Sequence, residues 1–251
     1  MRFIAGLTFG LLVFSVGMSL AEPPDSKNDR YQTKAQHDRY GTGKFYMDRE
    51  IAQVMSHEGA PWLERPERAK EEEPKKLLKV LDFKPGQVVA DIGAGSGYYS
   101  FRIAGKVGPR GKVLAVDIQK EMLDIIRARM KRQKVANIEP ILGTETDPKL
   151  PEGGVDLILL VDVYHEFSSP FEMTEALVKA LKPGGRLVFV EFRKEDPKVP
   201  ILEVHKMSVK QVLKEMKPHA LKHSKTETSL PWQHVIIFEK PIENKDEKPA
   251  K

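Results

Sequence analysis

The sequence contains no cysteine among its 251 residues. This absence excludes disulfide bonds, thiolate metal sites, a cysteine nucleophile and a lipid-modified cysteine anchor. Charge of one sign is not in large excess either, because 41 lysine and arginine residues stand against 36 acidic ones. The densest basic run, Arg127–Lys134, falls at the end of a predicted helix, where cations favour the helix dipole. We therefore expect no nucleic-acid partner.

Long apolar runs are also scarce, but one of them stands at the N-terminus. The run Phe3–Leu20 follows the positive Arg2 and ends at Ser19-Leu20-Ala21, a small-x-small cleavage site. This pattern predicts a signal peptide over residues 1–21 and an exported protein, periplasmic or secreted. The alternative is an uncleaved anchor through residues 3–20, because about 18 residues lie at the lower limit of a membrane span. A membrane partner is expected only in that second case.

The stretch that organises the chain is Gln87–Tyr99, QVVADIGAGSGYY. An apolar run leads to Asp91, then to three glycines at alternate positions, and a helical pattern starts at Tyr98. This order predicts a strand, a tight loop and a helix, in which a ligand approaches bare backbone and the free N–H groups of the helix N-terminus. The dinucleotide fingerprint G-x-G-x-x-G would require a glycine at position 98.

The acidic residues around this loop indicate which ligand it takes. Asp91 precedes the glycines, and a carboxylate there suits a ligand with a cationic end better than a pyrophosphate. S-adenosylmethionine (SAM) carries a sulfonium and an ammonium group and no phosphate. Asp117 ends the next apolar run, 20 residues beyond Gly97, in a position to accept hydrogen bonds from both ribose hydroxyls. We therefore expect SAM as the cofactor.

Three motifs together, VVADIGAGSG, VLAVD and LKPGGRLVFVE, resemble those of class I SAM-dependent methyltransferases. The resemblance covers roughly residues 74–240 and extends to the small-molecule branch that includes the ubiquinone-biosynthesis C-methyltransferases. It implies transfer of the SAM methyl group to a small or medium organic acceptor by in-line displacement. Thr144 stands where the superfamily often has an aspartate, and Glu145 or Asp147 is then the alternative. The cofactor-binding residues implied are Asp91, Gly93, Ala94, Gly95, Ser96, Gly97, Asp117, Ile118, Gly143, Thr144, Glu145 and Asp162.

Alternating strand and helix patterns predict an α/β fold with a doubly wound, mostly parallel sheet. The resemblance implies seven strands in a Rossmann-like methyltransferase arrangement, with the last strand antiparallel. We expect strands near residues 88–92, 112–117, 137–142, 155–161, 186–191, 221–227 and 234–239, and helices near 74–81, 98–107, 120–134, 170–181 and 208–217. The predicted organisation is a signal peptide (1–21), a polar lead-in and N-terminal lid or helical segment (22–73), a SAM-binding domain (74–240) and a charged, disordered tail (241–251).

The N-terminal segment has two expected parts. Residues 22–44 are polar and predict a flexible or loosely packed lead-in. The resemblance implies that the following segment folds over the SAM site as a lid. The alternative is that its apolar residues simply pack on the sheet. The candidates for the substrate wall are Tyr46, Met47, Met55, His57 and Trp62.

The loop after the predicted fourth strand, residues 162–167, is the best source of catalytic groups. Asp162 is expected to face SAM, Tyr164 to orient an acceptor, and His165 to accept a proton near neutral pH. Glu191, at the end of the next strand, completes the catalytic candidates. His205 is expected to line the same cleft. The alternative is that His165 and its neighbouring glutamate cap a helix or pair with each other.

Three alternative interpretations of the site compete with this one. His57, His165 and His205 could bind a metal with Glu191 or Asp162, but their spacing matches no known short motif, and we expect no metal. A non-catalytic protein that binds SAM, a nucleoside or a partner would use the same fold. An NAD-linked oxidoreductase is disfavoured because Tyr98 replaces the third glycine.

Overall fold

The structure, a computed structural model, describes residues 30–242, of which residues 31–242 belong to one compact unit. The predicted signal peptide and most of the predicted tail lie outside the described residues. Within residues 30–242, no helix has the length and apolarity needed to cross a membrane. The strands are β1 Tyr31–Thr33, β2 Gly41–Tyr46, β3 Arg49–Ala52, β4 Val88–Ile92, β5 Lys112–Asp117, β6 Ile138–Leu142, β7 Val155–Val161, β8 Leu181–Phe192, β9 Lys222–Glu227 and β10 Gln233–Glu239. The helices are α1 Ala60–Leu63, α2 Arg68–Glu71, α3 Pro74–Leu81, α4 Tyr98–Val107, α5 Lys120–Gln133, α6 Pro170–Ala180 and α7 Val209–Met216.

Seven strands form the main sheet, in the order β6-β5-β4-β7-β8-β10-β9. The first five of these pair in parallel, whereas β10 runs antiparallel to both of its neighbours. The chain moves outward from β4 in one direction, then returns to start again at β7. This reversal places the switch point of the sheet between β4 and β7, where ligands of open α/β sheets bind. The predicted fold class is confirmed.

The core lies on both faces of this sheet because its central strands are apolar throughout. Along β7, Leu157 and Leu159 belong to the apolar cluster that contains α3 and α4 residues, whereas Ile158 and Leu160 belong to the cluster that contains α6 and α7 residues. Successive side chains of a strand point to opposite faces, so one continuous apolar run serves both cores.

The expected elements of the main domain are confirmed, with small differences at their ends. Ser208 caps α7, because its hydroxyl accepts a hydrogen bond from the Gln211 N–H group at 3.1 Å. The largest difference is in β8, which begins at Leu181 and includes residues 182–185, whereas we expected this strand near residues 186–191. Its pairing with β7 shifts register between Val155 and Leu157, and the irregularity accommodates these residues within the strand.

The expected loose lead-in is wrong for the part of it that the structure describes. Residues 31–46 contribute β1 and β2 to a separate antiparallel sheet, in which β2 pairs with β1 on one side and with β3 on the other. The β2–β3 turn consists of Met47 and Asp48, both with positive φ (45° and 71°), as a two-residue hairpin with a primed turn requires.

Long-range polar contacts hold this small sheet against the main domain. Arg49 of β3 donates from Nε and Nη2 to the two carboxylate oxygens of Glu215 on α7, at 2.7 and 2.9 Å. Its Nη1 donates to the carbonyl oxygen of His165 at 3.1 Å. Lys44 donates to the carbonyl oxygen of Ser168 at 2.6 Å. The N-terminal sheet is therefore fixed beside the loop that follows β7.

Candidate active site

A cavity of about 380 Å³ opens at the switch point of the sheet. The carboxyl ends of β4, β5 and β7 form its floor, and Thr144 and Glu145, after β6, also line it. Residues 54–68 of the N-terminal segment and residues 200–205 after β8 close it from above. Most lining side chains are apolar, with a few charged groups among them. This composition is typical of a small-molecule site.

The glycine loop after β4 needs glycine for two reasons. Gly93 and Gly95 both have positive φ (65° and 53°), a conformation that side chains disfavour. A Cβ atom on Gly93 would lie 2.3 Å from Val163, and one on Gly95 would lie 2.6 Å from Leu63. The loop is therefore pressed between the β7 loop and the N-terminal segment, with its backbone at the cavity.

Asp117 ties this loop to the end of β5. One of its carboxylate oxygens accepts a hydrogen bond from the Gly95 N–H group at 2.8 Å, and the other accepts from the Gln119 N–H group at 2.9 Å. Burial raises the pKa of Asp117 above its ordinary value. A carboxylate oxygen has two lone pairs, so each oxygen retains capacity for a ligand hydroxyl.

Asp91 supports the loop from behind and does not reach the cavity wall. It is buried, and its carboxylate accepts a hydrogen bond from the Ser100 hydroxyl at 2.5 Å. Burial raises its pKa to about 6, although the Ser100 hydrogen bond and the nearby Arg68 oppose the rise. Direct contact with a ligand's cationic end therefore falls to another carboxylate.

The predicted cofactor-binding residues divide into two groups. Those on the cavity wall are Gly93, Gly95, Asp117, Ile118, Thr144, Glu145 and Asp162. Those behind the wall are Asp91, Ala94, Ser96, Gly97 and Gly143. The second group shapes the loops: Ser96 donates to Glu64, and the Gly143 N–H group donates to the Asp117 carbonyl oxygen at 3.0 Å. Asp147, offered as an alternative to Thr144, pairs with Lys149 and is not on the wall of this cavity.

Asp162, directly after β7, is one of the carboxylates that line the cavity. Its backbone is left-handed (φ 50°), and its Oδ2 accepts a hydrogen bond from Gln233 at 2.6 Å. Its Oδ1 is buried and has no hydrogen-bond partner among residues 30–242. Burial, together with the charges of Glu72 and Glu191, holds the pKa of Asp162 well above its usual range. A buried acceptor without a donor is costly, so this oxygen points to a ligand that donates.

Arg68, which the sequence analysis missed, reaches the cavity from α2. It is 4% exposed and lies over the Tyr98 ring at 4.1 Å. Its Nε donates to Glu72 at 2.7 Å, and its Nη1 donates to the Leu63 carbonyl oxygen at 2.9 Å. An arginine in a polar helix is usually solvated, and only the tertiary packing brings this one to a pocket.

His165 also lines the cavity, and it lies in a short 3-10 turn over Tyr164–Glu166. Its Nδ1 lies 2.7 Å from Glu191 Oε2, and both side chains are buried. Burial lowers the pKa of His165, but the Glu191 carboxylate outweighs it and the net shift is upward. Glu191 lies behind the wall and positions His165. Its predicted direct role is therefore replaced by an indirect one.

The prediction for Tyr164 is wrong. Its side chain is fully buried in the apolar cluster beneath the sheet, packed edge-on against Phe189. Its hydroxyl donates to Glu215 at 2.8 Å, away from the cavity. The 3-10 turn sends consecutive side chains in different directions, so His165 faces the cavity while Tyr164 faces the core.

Of the remaining wall candidates, Met55, Trp62 and His205 line the cavity. Tyr46 is buried at the end of β2, and the carbonyl oxygen of Met47 accepts a hydrogen bond from Gln211. His57 is not on the wall.

Gln119, which sequence reasoning did not single out, also lines the cavity. It accepts a hydrogen bond from the His57 N–H group at 2.8 Å and donates to the Met55 carbonyl oxygen at 2.9 Å. It therefore joins the N-terminal segment to the end of β5.

The sheet order and the glycine loop at the switch point define a Rossmann-like fold of the methyltransferase type. A family model described as a methyltransferase domain matches residues 83–248. Because this match covers more than half of the chain, the chain belongs to that methyltransferase-domain family.

Individual relatives agree with this assignment. The chain is 27% identical over 143 residues to the demethylmenaquinone methyltransferase of Lactococcus lactis, a match that covers 57% of this chain and 55% of the relative. It is 31% identical over 126 residues to the ubiquinone/menaquinone biosynthesis C-methyltransferase UbiE of Ectopseudomonas mendocina, covering 50% of this chain and 48% of the relative. The chain thus spans about half the length of the curated relatives it matches.

A crystal structure of a SAM-dependent methyltransferase from Aquifex aeolicus superposes with a TM-score of 0.70. The two chains are 24% identical, and the superposition covers 74% of this chain and all of the other. At this identity the likeness shows the fold alone.

Proposed function

We propose that the protein is a SAM-dependent methyltransferase acting on a small, hydroxylated organic acceptor. The observation that carries this proposal is the unpartnered Oδ1 of Asp162, buried at the switch-point cavity. Family membership supports the reaction class, and the residues on the wall fit the cofactor group by group.

The charged residues that line the cavity, Asp162, Arg68 and Asp117, complement the methionine moiety and the ribose of SAM. Asp162 Oδ1 would accept a hydrogen bond from the ammonium group of SAM, and Arg68 Nη2 would donate to its carboxylate. Asp117, at the opposite side of the glycine loop, would accept from the ribose hydroxyls. When bound, SAM supplies a methyl group that its sulfonium has already activated. The chain's task is to align an acceptor with that group and to exclude water.

We assign the methyl acceptor to the part of the cavity near His165, where apolar side chains and histidines are both available. Phe167, Phe192 and Leu202 line the cavity, as do His165 and His205. Because Nδ1 of His165 is engaged by Glu191, Nε2 is the ring nitrogen left for a ligand in the cavity. This part of the cavity would engage a hydroxyl group on a flat, apolar body. One relative is named a demethylmenaquinone methyltransferase and another a ubiquinone/menaquinone biosynthesis C-methyltransferase. By analogy we propose a phenol or quinol acceptor for this chain.

The test is methyl transfer from labelled SAM to a panel of phenols and quinols. We expect labelled product with the wild type, and loss of turnover in His165→Ala with the affinity for S-adenosylhomocysteine (SAH) retained. His223→Ala is the matched control, because His223 is exposed on β9 at the far edge of the sheet. Absence of SAH binding to the wild type would overturn the proposal. SAH binding without transfer to any member of the panel would favour the non-catalytic binding protein.

A further inference from the structure

We propose that His165, Glu166 and His205 form a binding site for a divalent transition-metal ion at the acceptor end of the cavity. One potential ligand atom from each residue lies within 4.8 Å of the other two. His165 Nε2 is 4.0 Å from Glu166 Oε1, which is too long for a hydrogen bond. The His165 and His205 rings stand nearly perpendicular, with centroids 5.1 Å apart. All three residues line the cavity.

These distances suit an ion held between the side chains. Zinc binds histidine nitrogen at about 2.0–2.1 Å and carboxylate oxygen at about 2.0–2.2 Å. Two such ligands of a tetrahedral ion lie about 3.4 Å apart. Side-chain movements of about 1 Å would therefore bring His165 Nε2 and Glu166 Oε1, now 4.0 Å apart, and a His205 nitrogen to one ion. Two imidazoles and one carboxylate are the ligand set of catalytic zinc and non-haem iron sites, which keep open positions for other ligands.

The surroundings of His165 and Glu166 are those of metal ligands. Glu191 accepts the Nδ1–H of His165 at 2.7 Å, and is itself held by the Tyr164 N–H group at 2.9 Å. Such a carboxylate fixes the tautomer that leaves Nε2 free to bind a metal. Glu166 Oε1 accepts a hydrogen bond from the Met55 N–H group at 3.2 Å, which fixes the carboxylate from the lid side.

The charges of the cluster also favour a cation. Glu166 and Glu191 flank one imidazole in a largely buried corner, and isolated buried carboxylates are costly. The neighbouring Arg49 is committed to Glu215 and contributes only one N–H group to the His165 carbonyl oxygen. A dication would balance the two carboxylates. Mg²⁺ prefers oxygen ligands alone, so the nitrogen donors point to a transition metal.

The role of the ion rests on the proposed function, whereas the metal site itself does not. An open coordination position towards the cavity would bind the hydroxyl oxygen of the acceptor and favour its anion, because a bound cation lowers the pKa of an oxygen ligand. His165 Nε2 would then be a ligand, and the proton-acceptor role expected from the sequence would pass to the ion's coordination sphere and solvent.

The experiment titrates the untagged full chain, stripped of metal by a chelator, with Zn²⁺ against a chromophoric competitor. We expect one Zn²⁺ per chain, and an affinity at least about tenfold lower in His205→Ala and in the nearly isosteric Glu166→Gln. His223→Ala, which removes an exposed histidine remote from the cluster, should bind like the wild type. Co²⁺ in place of Zn²⁺ should give visible absorption bands that His205→Ala loses.

Two results would overturn the metal site: no stoichiometric Zn²⁺ binding, or equal affinities in His205→Ala, Glu166→Gln and His223→Ala. SAH affinity, measured on the same samples, separates this proposal from the previous one. Zn²⁺ binding without SAH binding would support the metal site and contradict the proposed methyltransferase function. SAH binding without Zn²⁺ binding would contradict the metal site and leave the proposed function supported.

Discussion

Asp162 brings three uncommon properties together in one residue. Its φ is positive, its Oδ1 lacks a partner among the described residues, and its pKa is well above the usual range because of burial and the neighbouring Glu72 and Glu191. Strained, unsatisfied and ionisation-shifted groups cluster where proteins bind ligands. The cost that Asp162 imposes on the fold is therefore consistent with a role in binding.

We expect Asp162→Asn to weaken SAH binding by roughly 10- to 100-fold, the effect of losing one charge-assisted hydrogen bond of about 1.5–3 kcal/mol. The same substitution removes a costly buried carboxyl, so the melting temperature should stay equal or rise. Calorimetric titration measures the SAH affinity, and thermal unfolding measures the melting temperature. Glu152→Gln, at an exposed carboxylate, serves as the control. A variant with lower stability and unchanged SAH affinity would contradict the assignment.

Asp91 gives a prediction that depends on pH. Its native pKa is about 6, above the ordinary value near 4 of an unfolded aspartate. Between these values the native carboxyl keeps a proton that the unfolded chain has released, so this group's contribution to stability falls as pH rises through the window. The fall amounts to roughly 3 kcal/mol in total.

The measurement is the free energy of unfolding of the wild type and Asp91→Asn between pH 4 and pH 7 in urea. The difference between the two proteins should grow in favour of the variant as pH rises to about 6, because asparagine does not titrate. A difference that stays constant across this range would show that Asp91 has an ordinary pKa.

The role of a residue could be predicted from the sequence only where its position in a strand or loop determines that role. Asp117 was identifiable because it ends a strand beside the glycine loop. Tyr164 and Glu191 were misassigned because a 3-10 turn and a strand end set side-chain directions that spacing does not reveal. Arg68 was missed because its burial depends on the packing of α2 against Tyr98. In all three cases the folded backbone and its packing, rather than residue spacing, decided where the side chain lies.

At the scale of elements, the N-terminal sheet depends on a buried ion pair. Arg49 and Glu215 are both buried and share two hydrogen bonds, and Glu215 also accepts from Tyr164 and Gln211. Removing one partner of such a pair leaves an uncompensated charge inside the protein. The pair therefore fastens β3 to α7 beside the loop that carries His165.

We expect Arg49→Met to lower the free energy of unfolding by about 3–5 kcal/mol. Lys214→Met is the matched control, because Lys214 pairs with Asp48 across the same two segments, but at the surface. That exposed pair should contribute little. Urea denaturation compares both variants with the wild type. Equal losses in the two variants would mean that the buried pair has no special role in holding the sheet.

Helices and strands were predictable where residues close in sequence determine them. Helix α4 follows directly from the glycine loop, and β7 from seven nearly continuous apolar residues, so both were predicted to the residue. Strands β1 and β2 were not predicted, because their residues are polar. Contacts such as Lys44 with Ser168, 124 residues away, stabilise them. No window of sequence contains that information.

At the scale of the whole molecule, the export prediction concerns residues 1–21. We propose that the chain is exported and cleaved after Ala21. Expression of the full chain in a Gram-negative host, followed by intact-mass measurement, should find a periplasmic protein that begins at Glu22. A full-length species in the membrane fraction would support the anchor instead. A full-length species confined to the cytoplasm would contradict both.

The central claim is that the switch-point cavity binds SAM, and thermal unfolding with and without ligands tests it most directly. At about 100 times its dissociation constant, a ligand adds roughly 2.7 kcal/mol of stability, which raises the melting temperature by several degrees. We predict this rise with SAM and with SAH, but not with NAD. Stabilisation by NAD alone would contradict the account, because the cavity would then belong to a dinucleotide-binding protein.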